Sequence, residues 1–226
     1  MDVAKVVATI EEACRKAGRD TGSVRLLGVT KQVPTEIIRK AVVGGLRLFG
    51  ENRVQEAREK VDEGAYQGAT LCLIGHLQSN KVSHAARIFD EVHSVDSAGL
   101  AFSLAKASLR HRPEPLPVLI EVNAGEDPAK FGVLPADAIG LVRAVMDTAG
   151  LALRGLMTVA PGHGDEALSR AAFRRLRQLR DEMLNAGIPE GCLRDLSMGM
   201  SADYRVAIEE GSTIVRLGTA LFGPRR

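Results

Sequence analysis

The sequence predicts an α/β fold, a (β/α)8 TIM barrel with an extra N-terminal helix. Eight short apolar runs, many of them β-branched, alternate with longer stretches of helical periodicity. The connections between them are short, and the composition does not change along the chain. A doubly wound open sheet is the alternative, but such sheets commonly use fewer strands and reverse the strand order midway. We therefore predict one barrel domain over residues 1–226.

The predicted elements follow one another in regular order. A helical pattern over residues 1–18 precedes the first strand. The strands are predicted at residues 25–30, 46–50, 70–75, 91–95, 117–122, 152–158, 193–197 and 213–217. The helices between them are predicted at residues 35–44, 51–63, 79–89, 97–110, 134–149, 165–186 and 201–210. Residues suited to the start of a helix stand near five of these boundaries, namely Thr35, Ser79, Ser97, Asp165 and Ser201.

Composition and charge exclude several classes of protein. The formal net charge of +2 is too small to indicate a nucleic-acid or membrane-surface partner. No apolar run approaches the roughly 20 residues of a membrane span, and the N-terminus lacks the pattern of a secretory signal. The three cysteines are odd in number and widely spaced, which favours a reducing compartment. We expect a cytoplasmic protein. The five histidines show no ligand spacing with cysteines or acids, so we also expect no metal.

Polar residues stand at the predicted carboxyl ends of the strands, where barrels collect their chemistry. Lys31 ends the first strand, and it is the residue whose amine could bind a carbonyl ligand. The other polar residues at strand ends are Glu51, Asn52, His76, Asp96, Asn123, Thr158, Ser197 and Arg216. His76, Asp96 and Asn123 fit a ligand pocket and a purely structural role equally well.

The loops after the seventh and eighth strands predict a phosphate site. Gly199 allows a close approach of the backbone, and Ser201 is predicted to open a helix whose free amides favour an anion. Gly218 and Thr219 offer a second small-residue turn with a hydroxyl. The alternative is two tight turns and a capping serine. A phosphate site beside a lysine indicates either a phosphorylated carbonyl substrate or pyridoxal 5′-phosphate (PLP), since both form an imine with an amine.

Several longer blocks together carry a family resemblance. They are GVTKQVP (28–34), LFGENRVQE (48–56), LIGHLQSNK (73–81), VHSVDS (92–97), RGLMTVAP (154–161) and LSMGMSADYRVAIEEGSTIVRLGTALFG (196–223). From about Leu26 to Gly223 the chain closely resembles the pyridoxal phosphate homeostasis protein family. These proteins are single-domain barrels similar to the N-terminal domain of bacterial alanine racemase and to eukaryotic ornithine decarboxylase.

The resemblance implies roles for particular residues. Lys31 would carry PLP as an internal aldimine, and Asn52 would line its pocket. Arg216 would lie beside the pyridine nitrogen. Around the phosphate the resemblance places Ser201, Gly218 and Thr219. Ser197 and Gly199, in the loop after the seventh strand, complete the predicted cofactor-binding set.

The chain departs from the family pattern at a few positions. Leu71 and Cys72 replace an aromatic residue and a histidine, Arg53 replaces a frequent tyrosine, and Asp127 stands where glutamate is usual. None of these positions is among the predicted cofactor-binding residues. They therefore bear on neighbouring packing.

The resemblance also bears on catalysis. Arginine is always protonated and cannot accept a proton, so Arg216 would leave the ring nitrogen unprotonated. In two-domain relatives a tyrosine from a partner's second domain supplies an opposing acid or base. Here the chain ends at Arg226, and its two tyrosines are Tyr66, expected near the opposite end of the barrel, and Tyr204, expected in packing.

We therefore expect a monomeric, non-catalytic carrier that buffers PLP for intracellular PLP homeostasis and hands it to PLP-dependent apo-enzymes. One alternative is an amino-acid racemase of the alanine racemase type. The other is a Schiff-base aldolase in which Lys31 binds a phosphorylated sugar.

Overall fold

Eight parallel strands close into a barrel in the computed structural model, which describes residues 2–161 and 165–223. They are β1 (Arg25–Val29), β2 (Leu48–Glu51), β3 (Thr70–Leu73), β4 (Glu91–Val95), β5 (Leu116–Glu121), β6 (Leu151–Met157), β7 (Asp195–Ser197) and β8 (Ile214–Leu217). Each strand pairs with the next, and β8 closes the barrel on β1. The predicted fold class is confirmed, with every strand boundary within two residues of its prediction.

Helices surround the barrel on its outer face. They are α1 (Val3–Lys16), α2 (Thr35–Val43), α3 (Val54–Asp62), α4 (Val82–Ile88), α5 (Ala98–His111), α6 (Pro135–Met146), α7 (Glu166–Asn185), α8 (Tyr204–Glu209) and α9 (Thr219–Phe222). The extra N-terminal helix is α1, which packs beside α8 and α9. Sequence patterning did not predict α9, because four residues are too few to show a helical period.

Two of the predicted helix caps form as expected. The Ser97 side chain accepts a hydrogen bond from the Leu100 N–H at the start of α5. Asp165 does the same for the Leu168 N–H at the start of α7. Each bond satisfies one of the backbone donors that a helix leaves free at its first turn.

The other three residues do not cap a helix, although Thr35 begins α2 as predicted. Pro34 occupies the N-cap position of α2, so Thr35 is its first residue, and Ser79 begins a short 3-10 turn rather than α4. The helix predicted from Ser201 begins instead at Tyr204, with Asp203 at its N-cap position. The Asp203 carboxylate accepts a hydrogen bond from the Met200 N–H at 2.6 Å. This bond folds residues 201–203 into a turn and delays the helix.

The apolar core has two layers. The larger lies between the strands and the helices and includes Phe49, Phe89 and Phe173, all fully buried. The smaller lies inside the barrel, where Leu27, Leu48, Cys72 and Ile214 pack together. Alternation along each strand places the residue two positions further on at the same inner face. Polar side chains that follow these residues therefore point into the barrel or its mouth.

Gly155 in β6 leaves room for the backbone of β7 to pack directly against it. A Cβ at this position would lie 1.9 Å from the carbonyl oxygen of Asp195 in β7. The β5–β6 register also shifts beside it, between Val118 and Leu119. A side chain here would separate β6 from β7.

Across residues 2–161 and 165–223, none of the helices combines the length and the apolar character that crossing a bilayer requires.

Candidate functional site

The eight predicted site residues lie on one half of the barrel mouth. They follow or end β1, β2, β7 and β8, which are consecutive neighbours around the closed sheet in the order β7-β8-β1-β2. In chain order they are Lys31, Asn52, Ser197, Gly199, Ser201, Arg216, Gly218 and Thr219. Because parallel strands end at the same edge, these residues share one face of the molecule.

Lys31 is half-buried and sits in a turn that is fixed on both sides. Before it, the Thr30 carbonyl accepts a hydrogen bond from Lys60 Nζ at 2.6 Å. After it, Gln32 adopts a positive φ of 61°, and its N–H donates to Glu56 Oε1 at 2.5 Å. A non-glycine residue in this region is uncommon and requires support from its surroundings. The turn that carries Lys31 is thus held by contacts from α3.

A buried polar network supports that turn. Lys60 is 8% exposed, and its ammonium donates to Glu51 Oε1 and to Glu56 Oε1, each at 2.7 Å. Burial alone would raise the pKa of Glu56, but the hydrogen bonds from Lys60 and from the Gln32 N–H lower it overall. Glu56 is therefore an anion at neutral pH that links Lys60 to the backbone beyond Lys31.

Tyr66 belongs to the same network: its backbone precedes β3 as predicted, but its hydroxyl does not lie at the opposite end of the barrel. Its hydroxyl donates to Glu51 Oε1 at 2.8 Å and lies 3.0 Å from Thr30 Oγ1. Burial and the Glu51 carboxylate raise its pKa far above the ordinary value. Sequence position locates only the backbone: the loop between α3 and β3 carries Tyr66, and its side chain extends past Phe49 to the ends of β1 and β2. Tyr66 is a buried support of the mouth.

Arg216 joins the ends of three strands. It is 4% exposed, and its Nη1 donates to the carbonyl oxygen and to Oγ of Ser197, at 2.7 and 2.8 Å. Its Nη2 donates to the Thr158 carbonyl oxygen at 2.8 Å. Burial lowers the pKa of Arg216 to about 10, although Glu121 and Asp203 oppose that shift. The guanidinium remains a cation at neutral pH, and it brings two predicted site residues into contact.

The two small-residue loops after β7 and β8 are in contact with each other. Ser201 Oγ accepts a hydrogen bond from the Ala220 N–H at 3.3 Å and lies 3.5 Å from Thr219 Oγ1. Gly199 has a φ of 95°, and a Cβ there would lie 2.5 Å from the Cβ of Ala207. At Gly218, by contrast, a Cβ would meet nothing closer than 3.6 Å. The two hydroxyls and the Ala220 amide form a cluster of donors. Of the two glycines, only Gly199 occupies a position that a larger residue could not take.

Asn52 lies on the β2 side of the mouth beside a cavity of about 510 Å³. Its Oδ1 is buried and has no hydrogen-bond partner among the described residues. Gly75 allows the loop after β3 to pack on it, since a Cβ there would lie 2.4 Å from the Asn52 carbonyl oxygen. Further lining residues are His76, Phe131, Arg53 and Lys81. The cavity therefore adjoins Asn52 and extends to the loop after β3 and to Phe131, in the loop after β5.

The three residues with open roles differ in their surroundings. His76 Nδ1 lies 3.3 Å from Asp96 Oδ2, and its ring stacks on Phe131 with centroids 3.9 Å apart. Asn123 instead closes its own loop, since its side chain donates to the Asp127 carbonyl oxygen and accepts from the Asp127 N–H. His76 and Asp96 thus border the mouth, whereas Asn123 is structural.

Glu121 is a site residue that the sequence analysis missed. It ends β5 on the inner face, is 8% exposed, and leaves its Oε2 without a partner in the described ranges. Burial, together with the Asp96 carboxylate, raises its pKa to about 7, and Arg216 only partly offsets this. The available signal was its place two residues after Leu119 at the end of a barrel strand.

Similar sequences identify the family of this chain. Residues 2–226 match the model of the alanine racemase N-terminal domain. A pyridoxal phosphate homeostasis protein of Aquifex aeolicus is 40% identical, over 99% of this chain and 97% of the relative. One from Pseudomonas aeruginosa is 44% identical, over 99% of this chain and 94% of the relative. The chain belongs to the pyridoxal phosphate homeostasis protein family.

Solved structures of similar proteins agree with this assignment. PipY of Synechococcus elongatus, solved with PLP bound, is 36% identical, with a TM-score of 0.82 over 95% of this chain and all of PipY. An alanine racemase of Clostridium difficile has a TM-score of 0.74 at 14% identity and shares the fold. The match covers 96% of this chain but 56% of that racemase. The barrel of the pyridoxal phosphate homeostasis protein family thus has the same fold as part of the larger racemase.

Proposed function

We propose that this protein binds PLP reversibly through Lys31 and serves intracellular PLP homeostasis as a carrier, without efficient catalysis. Two kinds of observation support the proposal. Relatives at 40% and 44% identity are named for PLP homeostasis, and PipY holds PLP. In this chain, the half of the mouth that contains Lys31 also contains the hydroxyl and amide cluster after β7 and β8. The position of Lys31 in the same half of the mouth as this cluster is the observation that carries the proposal.

The residues present fit such a ligand. PLP supplies an aldehyde for an amine and a ring that withdraws electrons. Ser201, Thr219 and the Ala220 N–H would hold the phosphate, since hydroxyl and amide donors suit its oxygens. The buried Oδ1 of Asn52 would accept a ligand donor. Lys31 would hold the ligand covalently, and the fixed turn around it would keep its position.

Arg216 supports the absence of efficient catalysis. It remains protonated and offers only donors, so it disfavours a proton on any ligand nitrogen beside it. Both tyrosines of the sequence are engaged elsewhere: Tyr66 in the buried network, and Tyr204 in a groove beside α1, where its hydroxyl accepts from Arg205. Neither supplies an acid or base at the mouth.

Racemisation is a second candidate because one observation favours it. The His76–Asp96 pair at the mouth has the composition of an acid–base couple, in which a carboxylate orients an imidazole. An assay of alanine and other amino acids with the purified protein tests this candidate. Turnover that scales with protein concentration and disappears in His76→Gln would replace the carrier proposal.

The binding proposal has a direct spectroscopic test. Bound PLP absorbs visible light, so the protein mixed with PLP is expected to gain a visible band that dialysis removes slowly. Lys31→Ala should lose the band, whereas Lys106→Ala, an exposed lysine in α5, should keep it. Borohydride should fix PLP to the peptide that contains Lys31, as read by mass spectrometry.

Two results would contradict PLP binding at Lys31. The first is an unchanged band in Lys31→Ala. The second is a colourless protein that borohydride labels only with a phosphorylated sugar, which is the behaviour of an aldolase.

The proposal extends to the state of the protein in the cell. We propose that residues 1–226 act as one cytoplasmic, monomeric PLP-binding unit that passes PLP to apo-enzymes. The three cysteines carry free thiols, as in a reducing compartment, and the closed barrel leaves no strand edge for a second copy. Light scattering tests the monomer. Activation of a PLP-dependent apo-enzyme across a dialysis membrane, compared with direct mixing, tests the transfer.

A further inference from the structure

Three potential metal ligands from β3 and β4 meet inside the barrel. Cys72 and Glu91 are direct partners across the two strands. His93 follows Glu91 by two residues and therefore points to the same face of β4. Each of the three offers one ligand atom, and these atoms lie within 4.8 Å of one another.

The distances are close to those of a coordination site. Cys72 Sγ lies 3.8 Å from Glu91 Oε2, and His93 Nε2 lies 2.9 Å from the same oxygen. In a tetrahedral zinc site, bonds of about 2.0–2.3 Å place neighbouring ligand atoms roughly 3.3–3.8 Å apart. Side-chain adjustments of less than about 1 Å would bring the three atoms to this spacing.

The cluster is buried but reachable. Cys72 and His93 are fully buried, whereas the Glu91 side chain is 17% exposed. Within the described part of the chain, His93 Nδ1 has no hydrogen-bond partner. Glu91 begins β4, so the cluster opens at the amino-terminal end of the barrel, away from the mouth. Buried imidazole nitrogens in native proteins normally have a partner, so the surroundings of His93 do not fully satisfy its ring.

We propose that Cys72, Glu91 and His93 bind one zinc ion, with water as the fourth ligand. Thiolate, imidazole and carboxylate are the three ligand types that zinc prefers in proteins. On binding, the Cys72 thiol releases its proton to solvent and forms the sulfur–zinc bond. The carboxylate and thiolate then balance the two positive charges of the ion.

Two nearby arginines keep Glu91 ionised but also repel a cation. Arg25 and Arg194 lie at the same end of the barrel, and both pair with Asp195, at 2.7 and 3.4 Å. One carboxylate cannot balance two guanidinium groups, so a positive charge remains near the cluster, and both arginines help to lower the pKa of Glu91, after its hydrogen bond with His93. The ordinary alternative is that Glu91 and His93 form a structural pair and Cys72 only fills space, and the experiment below separates the two.

Sequence spacing gave no sign of this cluster. Cys72 lies far from the Glu91-x-His93 pair along the chain, and only the β3–β4 register places it opposite Glu91. The prediction of no metal assumed linear ligand motifs. The zinc proposal replaces that prediction for these residues and is independent of PLP binding, because Lys31 stands at the other end of the barrel.

The test is zinc binding by the full chain after chelation and dialysis. We expect one zinc per chain by atomic absorption, and cobalt as a probe should give a sulfur-to-cobalt charge-transfer band in the near ultraviolet. Mutation of a residue that only supports a metal ligand typically weakens metal binding by about tenfold or more. Loss of a ligand itself should weaken zinc binding at least as much. Cys72→Ser and His93→Asn should therefore bind weakly, whereas Cys192→Ser, which alters a half-buried free thiol elsewhere, should bind like the wild type.

Several outcomes would overturn the proposal. They are zinc below one per chain in the wild type, a cobalt complex without the charge-transfer band, or equal affinity in Cys72→Ser. Circular dichroism without metal shows whether each variant folds. If Cys72→Ser does not fold, Cys72→His decides: it should keep zinc and lose the cobalt–sulfur band, and failure to bind zinc in a folded Cys72→His contradicts the site.

Discussion

At the level of single residues, Glu121 gives the protein a distinctive pH dependence. Burial and the Asp96 carboxylate raise its pKa from the ordinary 4.5 to about 7. The folded state therefore binds this proton more tightly than the unfolded state does. Its contribution to stability is complete below pH 4.5 and is lost as the pH rises through 7, since ionised Glu121 remains buried.

We expect Glu121→Gln to remove this dependence. Between pH 4.5 and 8 the wild type should lose up to about 3 kcal/mol of unfolding free energy through this group, and the variant should not. Urea unfolding without added PLP, measured at several pH values, checks the difference. Glu114→Gln, at an exposed position, is the matched control. If the unfolding free energies of the wild type and Glu121→Gln change with pH in the same way, the pKa of Glu121 is not raised and the prediction is wrong.

Lys60 gives a second prediction at this scale. Lys60→Met removes the donor that Glu51, Glu56 and the Thr30 carbonyl share. Because it leaves buried acceptors and charge unpaired, we expect a loss of about 3–5 kcal/mol in urea unfolding at pH 7. PLP affinity should also fall, since the turn around Lys31 loses its support. Lys106→Met, on the exposed face of α5, should change stability by less than about 0.5 kcal/mol. Unchanged PLP affinity in a folded Lys60→Met would separate the network from the site.

At the level of elements, two glycines predict opposite effects of the same substitution. Gly155→Ala would push a methyl group against the β7 backbone, where a Cβ lies 1.9 Å from an oxygen. We expect a loss of at least about 2–3 kcal/mol or failure to fold. Gly140 lies within α6 with open space around it, so Gly140→Ala should stabilise the protein by about 0.5–1 kcal/mol. Thermal unfolding of both variants checks the contrast, and a well-folded, stable Gly155→Ala would contradict the tight β6–β7 contact.

The elements also show what the sequence could and could not predict. Strands were predictable because each buries an apolar run between short connections, so their positions depend on local composition. The start of α8 was not, because the Asp203 side chain competes for the Met200 N–H and keeps Ser201 in a turn. Sequence propensity alone does not decide which of two nearby polar residues takes the capping position.

At the level of the whole molecule, barrel closure decides which distant residues meet. The proximity of Lys31 and Arg216 at the barrel mouth could be predicted from the sequence. Eight predicted strands imply a closed barrel, and a closed barrel places the ends of β1 and β8 side by side. The placement of Tyr66 under Thr30, and of Cys72 beside Glu91, could not be predicted. The first depends on how far a side chain extends and the second on a strand register, and neither can be read from spacing along the chain.

The pairing of β1 with β8 also has a consequence for biosynthesis. Leu27 pairs with Arg216, so the first strand to leave the ribosome waits for the last before the sheet can close. Lys31 is made early, whereas Ser201, Arg216 and Thr219 are made near the end of translation. A nascent chain that stops before β8 contains Lys31 and Ser201 but lacks Arg216 and Thr219. If Lys31, Arg216 and Thr219 form the proposed site together, PLP binding requires the completed chain, and a product truncated before β8 is expected not to bind PLP.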